Sequence, residues 1–131
     1  MTTVLIRDEE TTGGLAPREW ALELLTERIT VRELIRSRVY QEVKDHNARD
    51  AGTFVGLVRP VGAQEGPSGW RVARGRKIDW NEQFEKALEA FRSNRVLVLV
   101  DDRQVTSLDT DLVVTPATRV TFLRLLPLVG G

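Results

Sequence analysis

Apolar positions in this chain fall into short blocks separated by charged runs and turn residues, and two stretches hold a helical period. Val4-Leu5-Ile6 is a brief apolar run closed by Arg7-Asp8-Glu9-Glu10 and then Thr11-Thr12-Gly13-Gly14. That pattern predicts a first strand followed by a turn or loop. The segment from Trp20 to Thr26 supports two readings. Pro17 is suitably placed to open a helix there. A strand folding back on the first would instead place Leu22 and Leu24 on one face, and the elements that follow favour the strand.

Thr30-Val31-Arg32-Glu33 has the form of a capping box, in which Thr30 accepts from the amide three residues on and Glu33 reaches back. Ile29 before the cap and Leu34 after it supply the matching hydrophobic staple. Val31, Leu34, Ile35, Val39 and Val43 then keep helical spacing, so a helix is predicted to about Asp45, ending near His46-Asn47.

Residues 48–77 change character, holding six of the ten glycines together with Pro60 and Pro67. Phe54 to Val58 reads as a short strand and Trp70-Arg71-Val72 as its hairpin partner, within a loop-rich excursion. Asp79-Trp80-Asn81-Glu82 repeats the capping-box pattern. It opens a helix carrying Phe84, Ala87, Leu88 and Phe91 on one stripe and ending at Ser93-Asn94. Arg95 to Val100 is rich in β-branched residues and apolar at nearly every position, as in a strand covered on both faces. Asp101-Asp102 begins a turn and Gln104-Val105 starts the return. Ser107 to Asp111 is turn chemistry, Leu112-Val113-Val114 a short strand, and Thr115 to Thr118 another turn. Arg119 to Leu126 is the last strand.

The order is two strands, a helix, an excursion with a second helix, then short strands to residue 131. It predicts an α+β two-layer architecture, written as one domain over 1–131 with an insertion at about 47–94 and a tail at 127–131.

Composition narrows the chemistry. Nineteen basic and nineteen acidic side chains cancel, so bulk charge points to neither nucleic acid nor an anionic membrane as main partner. The chain has no cysteine and one histidine, His46. Disulfides, thiolate nucleophiles and the usual Cys/His zinc sites are therefore excluded from it. The first ten residues carry acids where a signal peptide needs an apolar run, and no stretch has the length of a transmembrane span. The cytoplasm is the expected compartment.

The final segment, Val-Thr-Phe-Leu-Arg-Leu-Leu-Pro-Leu-Val-Gly-Gly, resembles the C-terminus of the molybdopterin synthase small subunit and of the thiamine-pathway sulfur carrier. These are ubiquitin-like β-grasp proteins, related in kind to prokaryotic ubiquitin-like modifiers. Ile29 to Ile35 resembles the start of that family's main helix, and Val98 to Val105 its central hairpin. The likeness covers roughly residues 1–46 and 95–131. The insertion departs from it, as does Thr115-Pro116-Ala117-Thr118, where the family usually has a Gly-Asp turn.

The resemblance implies a β-grasp fold and a substrate of enzymes, with no catalytic residue, metal or bound cofactor of its own. An ATP-dependent activating enzyme would adenylate the Gly131 carboxylate. A conjugating enzyme, an isopeptidase and a target protein are further implied partners, and nucleic acid and membrane are not. In a protein modifier the adenylate passes to an enzyme cysteine and then to an amine. In a sulfur carrier it becomes a thiocarboxylate. A third reading, a non-covalent adaptor, leaves the tail idle.

Residue chemistry suits the first two. Gly130 and Gly131 lack the Cβ that would obstruct a narrow adenylation channel. Pro127 fixes φ just before them and restricts the linker. With Gly131 ending the chain, no processing protease is expected to be needed. Period-two alternation puts Val120 and Phe122 on one face of the last strand and Leu123 and Leu125 on the other. The second pair, with Leu126, Pro127, Leu128 and Val129, forms a candidate docking surface for the activating enzyme, unless the excursion or the second helix covers it.

Other groups read more simply. Arg59, Arg71, Arg74, Arg76 and Lys77 against Glu65 make the excursion locally basic, as expected of a solvated loop. Trp70 and Trp80 are expected to anchor that loop, and His46 to cap a helix end or meet its dipole. The paired acids at 101–102 and 109–111 fit turns, since calcium-loop spacing is absent.

Overall fold

The computed structural model describes residues 1–11, 16–49, 52–66 and 69–125. It is an α+β protein with a mixed sheet and two helices, compatible with the expected β-grasp. Residues 1–34 with 90–131 form one compact unit and residues 35–89 a second.

The first unit is built on five strands: β1 (Thr2–Glu10), β2 (Arg18–Leu24), β7 (Val96–Val100), β8 (Arg103–Val105) and β10 (Arg119–Arg124). Their order across the sheet is β2-β1-β10-β7-β8. The central β1–β10 pair is parallel and every other pair is antiparallel. Val4, Ile6, Leu22, Leu24, Val96, Val98, Val120 and Phe122 form its buried face. The strand reading of residues 20–24 therefore holds, with Leu22 and Leu24 sharing that face.

β1 runs well past the apolar triplet that predicted it. The charged residues continue the strand because they find partners on neighbouring strands or, for Glu9, within β1. Arg7 Nε donates to Glu9 at 2.9 Å, Asp8 accepts from the Trp20 indole at 3.0 Å, and Glu10 pairs with Arg124.

A short pair, β3 (Arg28–Thr30) with β9 (Asp111–Val113), leads into helix α1 (Val31–Asn47). The predicted capping box is formed. Glu33 N donates to Thr30 Oγ1 at 3.1 Å, and Thr30 N donates to Glu33 Oε1 at 3.3 Å. The amides of Val31 and Arg32 donate to the carbonyls of Thr110 and Leu108, and Arg32 pairs with Asp109 at 2.6 Å. The turn at 107–111 thus supplies acceptors that a helix start otherwise lacks.

Asp101 and Asp102 both adopt positive φ, 48° and 68°, giving the β7–β8 hairpin its two-residue turn. Asp101 also continues the sheet: its N–H donates to Arg119 O at 2.8 Å, and its carboxylate accepts from Arg119 N at 3.0 Å. Helix α2 (Trp80–Arg92) ends in a Schellman arrangement with Asn94 at φ 60°. There Asn94 N reaches Phe91 O and Arg95 N reaches Ala90 O.

In the second unit a three-stranded sheet joins β4 (Thr53–Phe54), β5 (Gln64–Gly66) and β6 (Gly69–Arg71), in the order β4-β6-β5. The strand containing Phe54 pairs with the one containing Trp70, as predicted, with Phe54 opposite Trp70. The first strand stops at Phe54 instead of running to Val58, and β5 was not foreseen. Gly56 lets the chain pass close to Phe54 and Glu42. A Cβ there would lie 2.3 Å from the Phe54 ring and 2.4 Å from the Glu42 carboxylate. Asp79 caps α2 through Asn81 N at 2.9 Å, while the exposed Glu82 does not complete the predicted box.

The second unit holds an ion pair that periodicity did not reveal. Arg38 and Glu42 are both buried on α1, with Arg38 Nε donating to Glu42 Oε1 at 2.5 Å. The second Glu42 oxygen accepts from Leu57 N at 2.8 Å, tying the excursion to the helix. Glu42→Ala is therefore expected to cost about 3–5 kcal/mol, because it leaves a buried guanidinium and a buried amide without their acceptor. The double change Arg38→Met with Glu42→Leu should cost less than that single change. Urea unfolding of the three proteins measures both, and a double variant less stable than Glu42→Ala would refute the assignment.

Candidate functional site: the end of the last strand

β10 is held on both sides to its final residue. Arg124 sits opposite Glu10 of β1 and Val96 of β7. Just past the paired region, Thr11 N donates to Arg124 O at 3.1 Å and Leu125 N donates to Arg95 O at 2.9 Å. The backbone leading into the glycine-terminated segment is fixed by hydrogen bonds as far as Leu125.

Side chains reinforce that end. Arg124 and Glu10 form an ion pair in which neither side chain is more than 22% exposed. Burial lowers the Arg124 pKa from its ordinary value, and the Asp8 carboxylate opposes that shift. The guanidinium stays charged at neutral pH. Asp8 is itself engaged by the Trp20 indole and by Arg18 at 3.9 Å, while Arg18 lies over the Trp20 ring. A compact polar cluster thus braces the neighbouring ends of β1, β2 and β10.

The two faces of β10 separate as alternation predicts. Val120 and Phe122 are fully buried, whereas Leu123 and Leu125 are half-buried. On the face carrying Leu123, cross-strand register brings Leu97 beside it and Leu99 beside Thr121. The β1–β2 side of that face is polar, with Arg7 bridging Glu9 and Glu19. The result is a small apolar strip of Leu97, Leu99 and Leu123 next to a charged strip. Of the other docking residues expected, Leu126, Pro127, Leu128 and Val129 lie outside the described residues, as do Gly130 and Gly131.

No family model, curated protein or solved structure matches this chain. The site is therefore argued from geometry and residue chemistry alone.

The remaining sequence candidates resolve into structure. Asp101 binds backbone and Asp109 binds Arg32. Among the described residues, no three His, Cys, Asp or Glu side chains cluster to hold a metal. His46 departs from the capping role expected of it. It is 1% exposed, its Nε2 lies 3.1 Å from Arg76 O, and its ring meets Phe54 edge-on at 5.3 Å. Three of the excursion's cations, and Lys86 of α2, bond backbone carbonyls of the second unit. Arg71 donates to Glu65 O, Arg76 to Val61 O, Lys77 to Asn47 O and Lys86 to Arg59 O. Among the described residues, no helix is long and apolar enough to cross a membrane.

The bracing of β10 can be measured. Glu10→Ala should destabilise the fold by about 1–3 kcal/mol, since it removes the carboxylate that Arg124 meets in a largely buried setting. Amide exchange at Leu125 and Thr11 should quicken more than at Val98. Phe122→Ala is expected to cost about 3–5 kcal/mol, and Leu123→Ser less than about 1 kcal/mol. Equal losses at residues 122 and 123 would contradict the two-faced reading.

Proposed function

We propose that this chain is a ubiquitin-like β-grasp protein whose Gly131 carboxylate is activated by an ATP-dependent enzyme and joined to an amine on a target protein. The observation that carries the reading is the central parallel pairing of first and last strands. In the order β2-β1-β10-β7-β8, it leads the backbone from a braced strand directly into Leu-Pro-Leu-Val-Gly-Gly. The capped helix after the first strand pair supports the same fold.

The chemistry asks little of this protein's side chains. A Gly131 carboxylate oxygen attacks the α-phosphorus of ATP, forming an acyl-adenylate and releasing pyrophosphate. An enzyme thiolate then attacks the acyl carbon and AMP leaves. Finally an amine displaces the thiolate to form an amide and gives up a proton. This protein supplies a side-chain-free terminus and a fixed base from which it is offered. The six residues after Leu125 reach at most about 20 Å when fully extended. The activating enzyme must therefore also meet the rim of β10, where Leu123 and Leu97 provide apolar contact.

The test is to incubate the protein ending at Gly131 with candidate activating enzymes and ATP, with and without sulfide, and to take intact masses. Thiol-sensitive enzyme adducts followed by amide conjugates support the modifier reading. A thiocarboxylate assigns the chain to the sulfur carriers instead. No ATP-dependent product with any candidate enzyme, alongside tail-independent partner binding, assigns it to the adaptors. Removing Gly130 and Gly131 should abolish product formation without altering thermal unfolding. Leu123→Arg should lower kcat/KM for adenylation by about tenfold or more, as expected when charge enters an apolar contact.

A further inference from the structure

A second surface, in the unit formed by residues 35–89, has chemistry the tail does not use. Tyr40 on α1 is 50% exposed and meets the half-buried Trp80 ring edge-on, at 5.9 Å and 81°. Arg36, one helical turn before Tyr40, lies 5.2 Å from the Trp80 ring centre. Phe84, one turn along α2, extends the aromatic surface with its centroid 6.2 Å from Trp80. Lys44 is exposed one turn beyond Tyr40. The helical spacing of 36, 40 and 44, and of 80 and 84, aligns these groups as two short rows.

Among the described residues, no hydrogen bond or ion pair engages the Arg36 guanidinium, the Tyr40 hydroxyl, the Lys44 ammonium or the Trp80 indole N–H. Arginine, lysine and indole nitrogen are donors only. The rows therefore present apolar ring surface bordered by donors and positive charge. Trp, Tyr and Arg are also the residue types that dominate binding energy at protein interfaces. By contrast, Arg71, Arg76, Lys77 and Lys86 are already engaged by carbonyls of their own unit.

We infer that the Arg36–Tyr40–Lys44 and Trp80–Phe84 rows bind an acidic peptide segment of a partner protein. An apolar side chain of that segment packs against the exposed Tyr40 ring, beside Trp80 and Phe84. Flanking carboxylates accept from Arg36, Lys44 and the Trp80 indole. Charge complementarity selects the acidic character, and the ring surface selects the apolar anchor. Single-stranded nucleic acid fits less well. Base stacking needs an open ring face, and Trp80 is occupied by Arg36 on a face and flanked by Tyr40 and Phe84. This inference does not depend on activation of Gly131.

The experiment is selection of a random peptide display library on the intact chain. The recovered peptides are then resynthesised and titrated while the Trp80 indole N–H resonance is followed. Expected are sequences with aspartate or glutamate around one aromatic or aliphatic residue, together with a saturable Trp80 shift. Affinity should fall about tenfold or more in Arg36→Glu and in Tyr40→Ala, and should fall less in Arg36→Lys. Thermal unfolding of each variant must match the parent, and Lys44→Glu provides a second exposed charge reversal should one variant fail to fold. Three outcomes would overturn the inference: no enrichment, enrichment indifferent to residues 36 and 40, or a Trp80 shift produced by oligouridylate but not by the peptides.

Discussion

The pairing of β1 with β10 is the constraint on which the first unit depends. Parallel neighbours cannot be joined by a tight hairpin, so the chain between them must leave the sheet and return. Here almost the whole sequence serves as that connection. The length-dependent part of the closure entropy is only about 4 kcal/mol for a loop of this size, because it grows with the logarithm of length. Burying Val4, Ile6, Val120 and Phe122 contributes about 1.5–3 kcal/mol each by area transfer, enough to offset it. A slowly growing closure cost also explains how the connection accommodates a second unit, one carrying its own small sheet and buried ion pair.

Local signals carried far in this sequence where they were covalently close. Thr30 and Glu33 are three residues apart and cap one another, and Leu22 and Leu24 fall on the buried face that alternation assigns. The signals failed where stabilisation came from distant groups. Arg7 to Glu10 look like a strand terminator until Glu19, Trp20 and Arg124 are placed beside them. β3 and β5 have three residues each and exist through their pairing with β9 and β6. The turn at 107–111 reads as a connection, but its carbonyls also receive the first amides of α1. The hydrogen bonds that fix the end of β10 were not legible, because Arg95 O and Thr11 N lie far from it in sequence.

Local basicity shows the same distinction between residue type and use. Carbonyls at element ends and in irregular segments keep acceptor capacity that neighbouring donors can use. Long cationic side chains supply them from the surface, as Arg71, Arg76, Lys77 and Lys86 do. Counting charge in residues 59–77 therefore overstates what the loop offers to an external anion. Arg36 and Lys44, on a regular helix whose carbonyls are bonded within it, have no such task. The acceptors within reach separate the cations that hold the fold, such as Lys86 on α2 and Arg38 on α1, from Arg36 and Lys44, which face outward.

That separation bears on how such a protein would be told apart from others of its kind. A terminal glycine carboxylate is chemically anonymous: it has no side chain to read, and the activation steps are the same for any chain that ends this way. Selectivity must then come from surfaces that are not consumed in the reaction. Under the proposed function, the apolar strip beside β10 is one such surface, on the strand that precedes the glycine-terminated segment. The aromatic and cationic rows on α1 and α2 are another, built from residues that neither the β10 bracing nor the tail requires. The two surfaces share no residue, so each can be changed by substitutions that leave the other's side chains in place. Under the two proposals together, the second unit adds a partner-facing surface that a minimal sheet and helix would not provide.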